Sequence, residues 1–198
     1  MSNPVLHLAS SSPRRRELLT ALGLNFSYDG VAIDESALPG EAASDLVLRL
    51  ATGKARAAYE SGKYEVPVLG ADTLVILDDR VFGKPKSKEE ALNMLASLSG
   101  TTHQVLTGVA LMANGELQTA VSVTEVQFRE IHPDEAEAYW QSGEPAGKAG
   151  AYAVQGLGGV FVSAINGSYT GVVGLPVFET ADLLRRAGIE LPAMPEHR

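Results

Sequence analysis

The sequence contains no cysteine, which excludes disulfide bonds, thiolate metal ligands and a cysteine nucleophile. It also lacks an apolar run near the length of about 20 residues that a membrane-spanning helix needs. The amino terminus shows no basic region followed by an apolar stretch, the pattern typical of a secretory signal. We therefore expect a cytoplasmic protein that is not associated with a membrane.

Basic residues are also scarce. The chain of 198 residues has 16 Lys and Arg against 24 Asp and Glu, a formal net charge of -8. Proteins that bind nucleic acids usually present a basic surface, so this balance argues against that class of partner. The 45 % hydrophobic and 20 % charged content is that of an ordinary globular protein, and the length predicts a single domain over residues 1–198.

One local cluster of positive charge stands out from this acidic background. Residues 5–9 read as a buried strand, and a helix is predicted to follow, with Ser12 as N-cap and Pro13 as its first residue. The arginines at residues 14–16 then fall in the first turn, where the helix dipole disfavours each cation by about 0.3–1 kcal/mol. A bound phosphate would compensate for this cost. The alternative is a solvated basic turn, partly offset by Glu17.

A second candidate group combines a lysine with acidic residues. Residues 41–61 show the apolar periodicity of a long amphipathic helix, and Lys54 lies on its apolar stripe. Its side chain either snorkels over the helix edge or projects into a charged cleft. Asp34 and Glu35 end the preceding loop, where they are either solvated or part of a site.

The strongest catalytic candidate is Asp72. It interrupts the near-continuous apolar run of residues 66–77, where an ionised carboxylate is costly without a partner. A bulge or strand end at residues 70–71 would direct Asp72 into a cleft. A structural carboxylate bonded to neighbouring amides is the alternative.

The remaining pattern completes an α/β prediction. It contains a helix over residues 87–98, two strands over residues 103–112 and 117–128 joined by Asn114 and Gly115, a helix from His132, and a final helix over residues 176–186. The glycine-rich residues 148–161 lie between short strand-like pieces. They fit either a close approach of backbone to ligand or a bulged hairpin, but not a dinucleotide-binding fingerprint.

Together, a basic helix start, Glu35, Lys54 and Asp72 suggest one reaction. Basic side chains bind phosphate, while two carboxylates hold a divalent cation or activate water. We therefore predict metal-assisted attack on a phosphate or phosphoanhydride.

Six motifs also carry a resemblance to a known family. They read Ala-Ser-Ser-Ser-Pro-Arg-Arg-x-Glu-Leu-Leu at residues 9–19, Gly-Ala-Asp-Thr at 70–73, Gly-Lys-Pro at 83–85, Ser-Gly-x-x-His at 99–103, Ala-Gly-Ala-Tyr-x-x-Gln-Gly at 149–156 and Gly-Val-Val-Gly-Leu-Pro at 171–176. In this order, over nearly the whole chain, they resemble the Maf family of nucleotide pyrophosphatases.

The resemblance implies an elongated mixed β-sheet flanked by helices, with a deep cleft between two lobes, like that of inosine triphosphatases. It implies hydrolysis of a nucleoside triphosphate to monophosphate and pyrophosphate with a divalent cation, Mg²⁺ or Mn²⁺, and a homodimer as a family expectation. Asp72 falls on the general-base position, and Glu35 joins it as a metal ligand. The residues that match phosphate-binding positions are Ser10, Arg14, Arg15, Lys54 and Lys84.

Three positions indicate the substrate subgroup. Arg14, Thr73 and Gln155 match the dTTP/UTP pyrophosphatases, whereas the 7-methyl-GTP group tends to carry Trp, Gln and Glu there. A neutral amide at Gln155 offers both a donor and an acceptor to the imide edge of uracil or thymine. The alternatives are a pyrophosphatase for 7-methyl-GTP or another modified nucleotide, and a nucleotide-binding regulator of cell division.

Overall fold

The computed structural model describes residues 3–191, and within them the chain forms seven strands and six helices. The strands are β1 (Leu6–Ala9), β2 (Phe26–Asp29), β3 (Val68–Leu77), β4 (Arg80–Phe82), β5 (Thr102–Ala113), β6 (Glu116–Phe128) and β7 (Val162–Asn166). The helices are α1 (Pro13–Ala21), α2 (Ala43–Glu60), α3 (Lys88–Leu98), α4 (Pro133–Gln141), α5 (Tyr169–Val173) and α6 (Val177–Arg186).

All seven strands belong to one mixed sheet. Its order is β2-β1-β3-β5-β6-β7, and β4 pairs with β3 outside this path. Strand β1 runs parallel to both β2 and β3, while the β3–β4 and β6–β7 pairs are antiparallel. The α/β class with a mixed sheet and accompanying helices is thus confirmed. The predicted elongation and cleft stay predictions.

The chain divides into two compact units, and the single domain over residues 1–198 stays a prediction. The first unit comprises residues 1–72, 107–122 and 174–198. Its described part has two apolar clusters. One joins β1 to α1 and α6 through Leu8, Leu19 and Leu184, and the other packs alanines of α2 against the sheet.

The second unit comprises residues 73–106 and 123–173. Its core joins α3 and α4 to the sheet through Leu95, Phe128 and Tyr139, with Phe161 packed edge-on against Tyr139. Tyr139 is buried in this core. Helix α3 begins as predicted, because the Ser87 side chain accepts a hydrogen bond from the Glu90 amide.

The glycine-rich segment differs from the prediction. Instead of strand-like pieces it forms two short 3₁₀ turns, Ala149–Ala151 and Leu157–Phe161. Gly150 has φ of 67° and Ala151 of 60°, and this left-handed backbone cannot continue a strand. Strand β7 and helix α5, which follow these turns, have no counterpart in the prediction.

Asn114 and Gly115, with φ of 52° and 81°, do form the predicted turn between β5 and β6.

Among residues 3–191, no helix combines the length and the apolar character required to span a membrane.

Candidate active site

The centre of the site is an ammonium group held between two carboxylates. Lys54 Nζ lies 2.6 Å from Asp72 Oδ1 and 2.6 Å from Glu35 Oε1. Lys54 and Asp72 are only 8 % and 9 % exposed, whereas Glu35 is exposed. The ammonium is thus directed at two carboxylates, as a buried ammonium requires, and the cleft that the sequence predicts for it stays a prediction.

The close approach of α2 to β3 explains how Lys54 reaches Asp72. A Cβ atom at Gly70 would lie 2.3 Å from the Ala51 carbonyl oxygen and 2.7 Å from the Ala55 nitrogen. The helix backbone therefore rests directly on the strand at this glycine. Asp72 lies two residues further along β3, on the same face as Gly70, and so faces the helix turn that carries Lys54.

This arrangement corrects the prediction of a strand end at residues 70–71, whereas the bulge stays a prediction. Strand β3 runs through these residues, and its pairing with β1 extends to Leu69. Asp72 is directed by its alternation along the strand and by the absence of a side chain at Gly70, instead of by a break in β3.

A second cluster lies at the start of α1. The Ser10 hydroxyl is buried and accepts hydrogen bonds from the Ser12 amide and from Arg15 Nη1, each at 3.2 Å. Arg15 Nε donates to the Gly174 carbonyl oxygen at 2.8 Å. Two of its nitrogens are thus anchored, one to the Ser10 hydroxyl after β1 and one to the Gly174 carbonyl before α6. This fixes the guanidinium in the first turn of α1.

The electrostatics of Arg15 join the two clusters. Burial lowers the pKa of Arg15, the Asp72 carboxylate opposes this change, Arg14 adds to it and Glu35 opposes it. The charges of Arg14, Asp72 and Glu35 all act on the Arg15 guanidinium. Both arginines therefore lie near the two carboxylates. Arginine stays charged at physiological pH despite such a shift, so the site keeps a cation poised for an anion.

Arg16 is placed differently from the other two arginines. Its guanidinium carbon lies 4.3 Å from the centre of the Tyr28 ring. This cation–π contact occupies Arg16 on the surface of β2. The helix boundary is as predicted, with Ser12 as N-cap and Pro13 in the first position, although the Ser12 side chain makes no capping bond.

The loop that carries Glu35 is fastened to α2 by a charged pair. Arg49 donates from Nε and Nη2 to the two carboxylate oxygens of Glu41, at 2.6 and 2.8 Å, and from Nη2 to the Ser36 carbonyl oxygen at 2.8 Å. The bonds from Arg49 to the Glu41 carboxylate, together with one from the Leu38 amide, lower the pKa of Glu41 to about 2. The contact ends next to Glu35, so it limits the positions open to that carboxylate.

Thr73, Lys84 and Gln155 belong to the second unit. Thr73 follows Asp72 in β3, and its side chain therefore points to the opposite face of the strand. Lys84 is exposed in the segment after β4. Gln155 is exposed on a turn closed by a hydrogen bond of 3.1 Å from the Gly156 amide to the Ala153 carbonyl. Their roles stay predictions.

Reasoning from individual residues missed some contributors to this site. They are Glu41 with Arg49, and the Gly174 carbonyl, which binds a side chain distant from it in sequence. No local periodicity signals such partners. Only the ordered motif at residues 171–176 marked one of them in advance.

The acidic residues fit a divalent cation bound together with a substrate. Within residues 3–191, no cluster of three or more histidine, aspartate or glutamate side chains is arranged to hold a metal ion. Glu35 and Asp72 nevertheless direct one oxygen each at a single point, which the Lys54 ammonium holds in this structure. Two carboxylates supplemented by phosphate oxygens form a donor set that suits Mg²⁺.

Comparisons with known proteins agree over nearly the whole chain. A family model described as Maf-like protein matches residues 5–187. A dTTP/UTP pyrophosphatase of Bordetella avium is 54 % identical over 197 residues, covering 96 % of this chain and 98 % of the relative. One of Alkalilimnicola ehrlichii is 50 % identical over 186 residues, covering 91 % and 92 %.

Similarity to solved structures is much weaker. A nucleoside-triphosphatase, or dITP/XTP pyrophosphatase, of Mycobacterium abscessus superimposes with a TM-score of 0.39 at 15 % identity, covering 62 % of this chain and 72 % of that one. This likeness is too slight to support an argument about either fold or activity.

Proposed function

The chain belongs to the Maf family, and from this membership and the geometry around Lys54 we propose that it is a nucleoside triphosphate pyrophosphatase. Its substrates are dTTP and UTP, the nucleotides named for its relatives. The products are the nucleoside monophosphate and pyrophosphate. The observation that carries the proposal is the buried ammonium between Glu35 and Asp72, next to an anchored arginine.

In the proposed reaction, Asp72 acts as the general base. A water molecule attacks the α-phosphorus, and its proton passes to the Asp72 carboxylate. The new oxygen–phosphorus bond forms as the bond from the α-phosphorus to the bridging oxygen breaks, and pyrophosphate leaves with that oxygen. The displacement needs charge stabilisation and alignment more than covalent help from the protein.

The cationic side chains bind the triphosphate. Arg15, held at Nε and Nη1, presents a fixed charge, and Ser10 supports it from the buried side. Lys54 can exchange one carboxylate partner for a phosphate oxygen, because its side chain is flexible and Glu35 is exposed. We assign Arg14 and the exposed Lys84 to the same task.

Glu35 and Asp72 would hold the divalent cation. When bound, such an ion neutralises phosphate charge and favours attack on the phosphorus. We propose Mg²⁺ or Mn²⁺, since carboxylate and phosphate oxygens suit both ions.

Substrate choice is assigned to Arg14, Thr73 and Gln155. The neutral amide of Gln155 suits the imide edge of uracil or thymine better than the cationic ring of a methylated guanine. We place the reaction in the cytoplasm, as the sequence predicts. A homodimer is the family expectation, and analytical ultracentrifugation tests it.

Product analysis tests the reaction directly. Purified protein is incubated with dTTP, UTP, CTP, GTP, ATP and 7-methyl-GTP, in Mg²⁺ or Mn²⁺, and the products are separated by anion exchange. We expect pyrophosphate with dTMP or UMP at the highest kcat/KM. Orthophosphate with a nucleoside diphosphate would contradict attack at the α-phosphorus.

Asp72→Asn tests the assigned base. We expect turnover to fall by at least about a thousandfold, because proton transfer and charge are both lost. Nucleotide binding, measured by calorimetry, should persist. Asp182→Asn is the control, because Asp182 is a half-exposed carboxylate paired with Arg186 in α6. A fully active Asp72→Asn enzyme would exclude this residue as the base.

A further inference from the structure

The second unit contains a glutamate that binds the backbone around Gln155. The Glu144 carboxylate accepts hydrogen bonds from the Leu157 amide at 3.0 Å and from the Gly158 amide at 2.9 Å. It also accepts one from the Tyr139 hydroxyl at 2.7 Å. One carboxylate thus accepts three hydrogen bonds. Two come from backbone amides of a segment distant in sequence, and one comes from a tyrosine of α4.

Tyr139 binds the other side of the same segment. Its hydroxyl accepts a hydrogen bond of 3.1 Å from the Ala153 amide and donates to Glu144. The ring is 5 % exposed and packs against Phe161, so the hydroxyl has a fixed position. Tyr139 and Glu144 therefore hold the backbone both before and after Gln155.

Two glycines allow this contact. A Cβ atom at Gly156 would lie 2.1 Å from Glu144 Oε2, and one at Gly158 would lie 2.5 Å from the Tyr139 hydroxyl. The segment lies so close to both side chains that a larger residue at either position would require Glu144 or Tyr139 to shift. Between the anchored amides, Gln155 occupies the third position of the turn from Ala153 to Gly156, with its side chain exposed.

We propose that Glu144, supported by Tyr139, is a positioning residue that sets substrate specificity by fixing the turn that presents Gln155. This inference rests on the proposed role of Gln155 in reading the base of the nucleotide. A neutral amide discriminates between bases only if its donor and acceptor are held in place. The Glu144 carboxylate provides this restraint through the backbone, without contacting the nucleotide itself.

The ionisation of Glu144 agrees with this role. Burial alone would raise its pKa. The hydrogen bonds from the Tyr139 hydroxyl and from the amides of Gly158 and Leu157 outweigh this effect, so the pKa of Glu144 lies below its ordinary value. The residue is therefore a carboxylate at neutral pH. Hydrogen bonds to an ionised acceptor are stronger than those to a neutral one.

Glu144→Gln tests the proposal. The glutamine keeps the size of the side chain but replaces one acceptor oxygen with a donor, so it cannot accept all three bonds. We expect the ratio of kcat/KM for UTP to that for 7-methyl-GTP to fall at least about tenfold, chiefly through a higher KM for UTP. Inhibition by pyrophosphate should be unchanged, because that product is held by the phosphate-binding residues. Glu137→Gln is the matched control, a partly exposed glutamate of α4 paired with Lys88.

A double-mutant cycle separates positioning from general destabilisation. In the Gln155→Ala background, Glu144→Gln should leave the UTP to 7-methyl-GTP ratio unchanged, since the residue it positions is already absent. Tyr139→Phe should lower the ratio in the same direction. Equal losses for every substrate, or full additivity with Gln155→Ala, would overturn the proposal.

Hydrogen exchange supplies a readout independent of activity. The amides of Leu157 and Gly158 should exchange faster in Glu144→Gln than in Glu137→Gln. Unchanged exchange would overturn the inference even if the enzyme is a pyrophosphatase. If the wild-type protein released no pyrophosphate from any nucleotide, the proposed function would fail, and with it the specificity role.

Discussion

At the scale of the residue, the Lys54 ammonium holds the two carboxylates of the site together. An ammonium that is 8 % exposed would be costly alone, and its two carboxylate partners compensate for the lost hydration. The same geometry keeps Asp72 and Glu35 close together despite their like charges. We therefore expect removal of the lysine to change both the proposed phosphate binding and the proposed affinity of the carboxylate pair for cations.

Lys54→Met should lower kcat/KM for UTP by at least about a hundredfold, because a cation directed at the transferring phosphate is lost. In the absence of nucleotide, Mn²⁺ should bind the variant more tightly than the wild type, since the two carboxylates lose their ammonium. Steady-state kinetics and calorimetry measure the two effects. Lys63→Met, at an exposed position shortly after α2, should change neither. Weaker Mn²⁺ binding to Lys54→Met would contradict this account.

At the scale of the element, α2 packs closely against two strands of the first unit. It approaches β3 at Gly70 and β5 at Gly108, where a Cβ atom would lie 2.8 Å from the Val47 carbonyl oxygen. Two neighbouring strands thus present glycine to the same helix. The helix axis is held close to the sheet, and its Lys54 turn lies against Asp72.

Gly70→Ala should destabilise the fold by about 1–3 kcal/mol, because the new methyl group overlaps the backbone of α2, which cannot simply rotate away. It should also reduce activity, since α2 must move away from Asp72. Urea unfolding and UTP turnover measure the two effects. Gly53→Ala is the matched control within α2, because its Cβ would meet only the flexible Ile33 side chain, at 3.1 Å. Equal stability of the two variants would contradict the close-approach argument.

The paired hydrogen bonds from Arg49 to Glu41 also act at the scale of the element, because they hold a loop against α2. Arg49→Lys keeps the charge but loses the paired donation from Nε and Nη2. We expect the loop of residues 34–42 to exchange its amide hydrogens faster and the KM for UTP–Mg²⁺ to rise severalfold. Arg56→Lys, an exposed position on the same helix, serves as the comparison. If loop exchange stayed at the wild-type rate, the paired hydrogen bonds would have no role in holding Glu35.

At the scale of the whole molecule, a buried histidine links stability to pH. His103 is 1 % exposed, and burial lowers its pKa to about 4. Its Nε2 lies 2.9 Å from the Tyr152 hydroxyl, and its ring packs against Phe128 and Tyr152. Nδ1 meets no hydrogen-bond partner among the described residues. Protonation in the folded state would therefore place an uncompensated charge in the core.

The sign of the pH dependence follows from this lowered pKa. Between about pH 6.5 and 4 the unfolded chain binds a proton that the folded chain does not, so stability is present above this range and is lost as pH falls. The His103 contribution should decrease by about 2 kcal/mol from pH 8 to pH 5. Burial also lowers the pKa of His7, partly opposed by Asp29, and this acts in the same direction.

His103→Gln isolates the contribution of that residue. Glutamine cannot titrate, so the free energy of unfolding should fall less steeply between pH 8 and pH 5 than in the wild type. Urea titrations at a series of pH values measure both curves. Parallel curves would show that His103 does not govern the acid sensitivity of the fold.

The sequence by itself determined many of the local elements, although not β7, α5 or the 3₁₀ turns, and it indicated the chemical types of the candidate site residues. The periodicity of α2, the turn at Asn114 and Gly115, and the start of α1 at Pro13 all depend on neighbouring residues, and all were confirmed. It also placed a lysine on an apolar stripe and an aspartate in an apolar strand. Both residues were exceptional enough to indicate a site.

Only the tertiary structure decided which groups meet. Lys54 and Asp72 are 18 residues apart, and their contact depends on how closely α2 can rest on Gly70. Glu144 and Gly158 meet across 14 residues because glycines leave room for a carboxylate. Such contacts arise from packing between distant segments, which local propensity and periodicity do not encode.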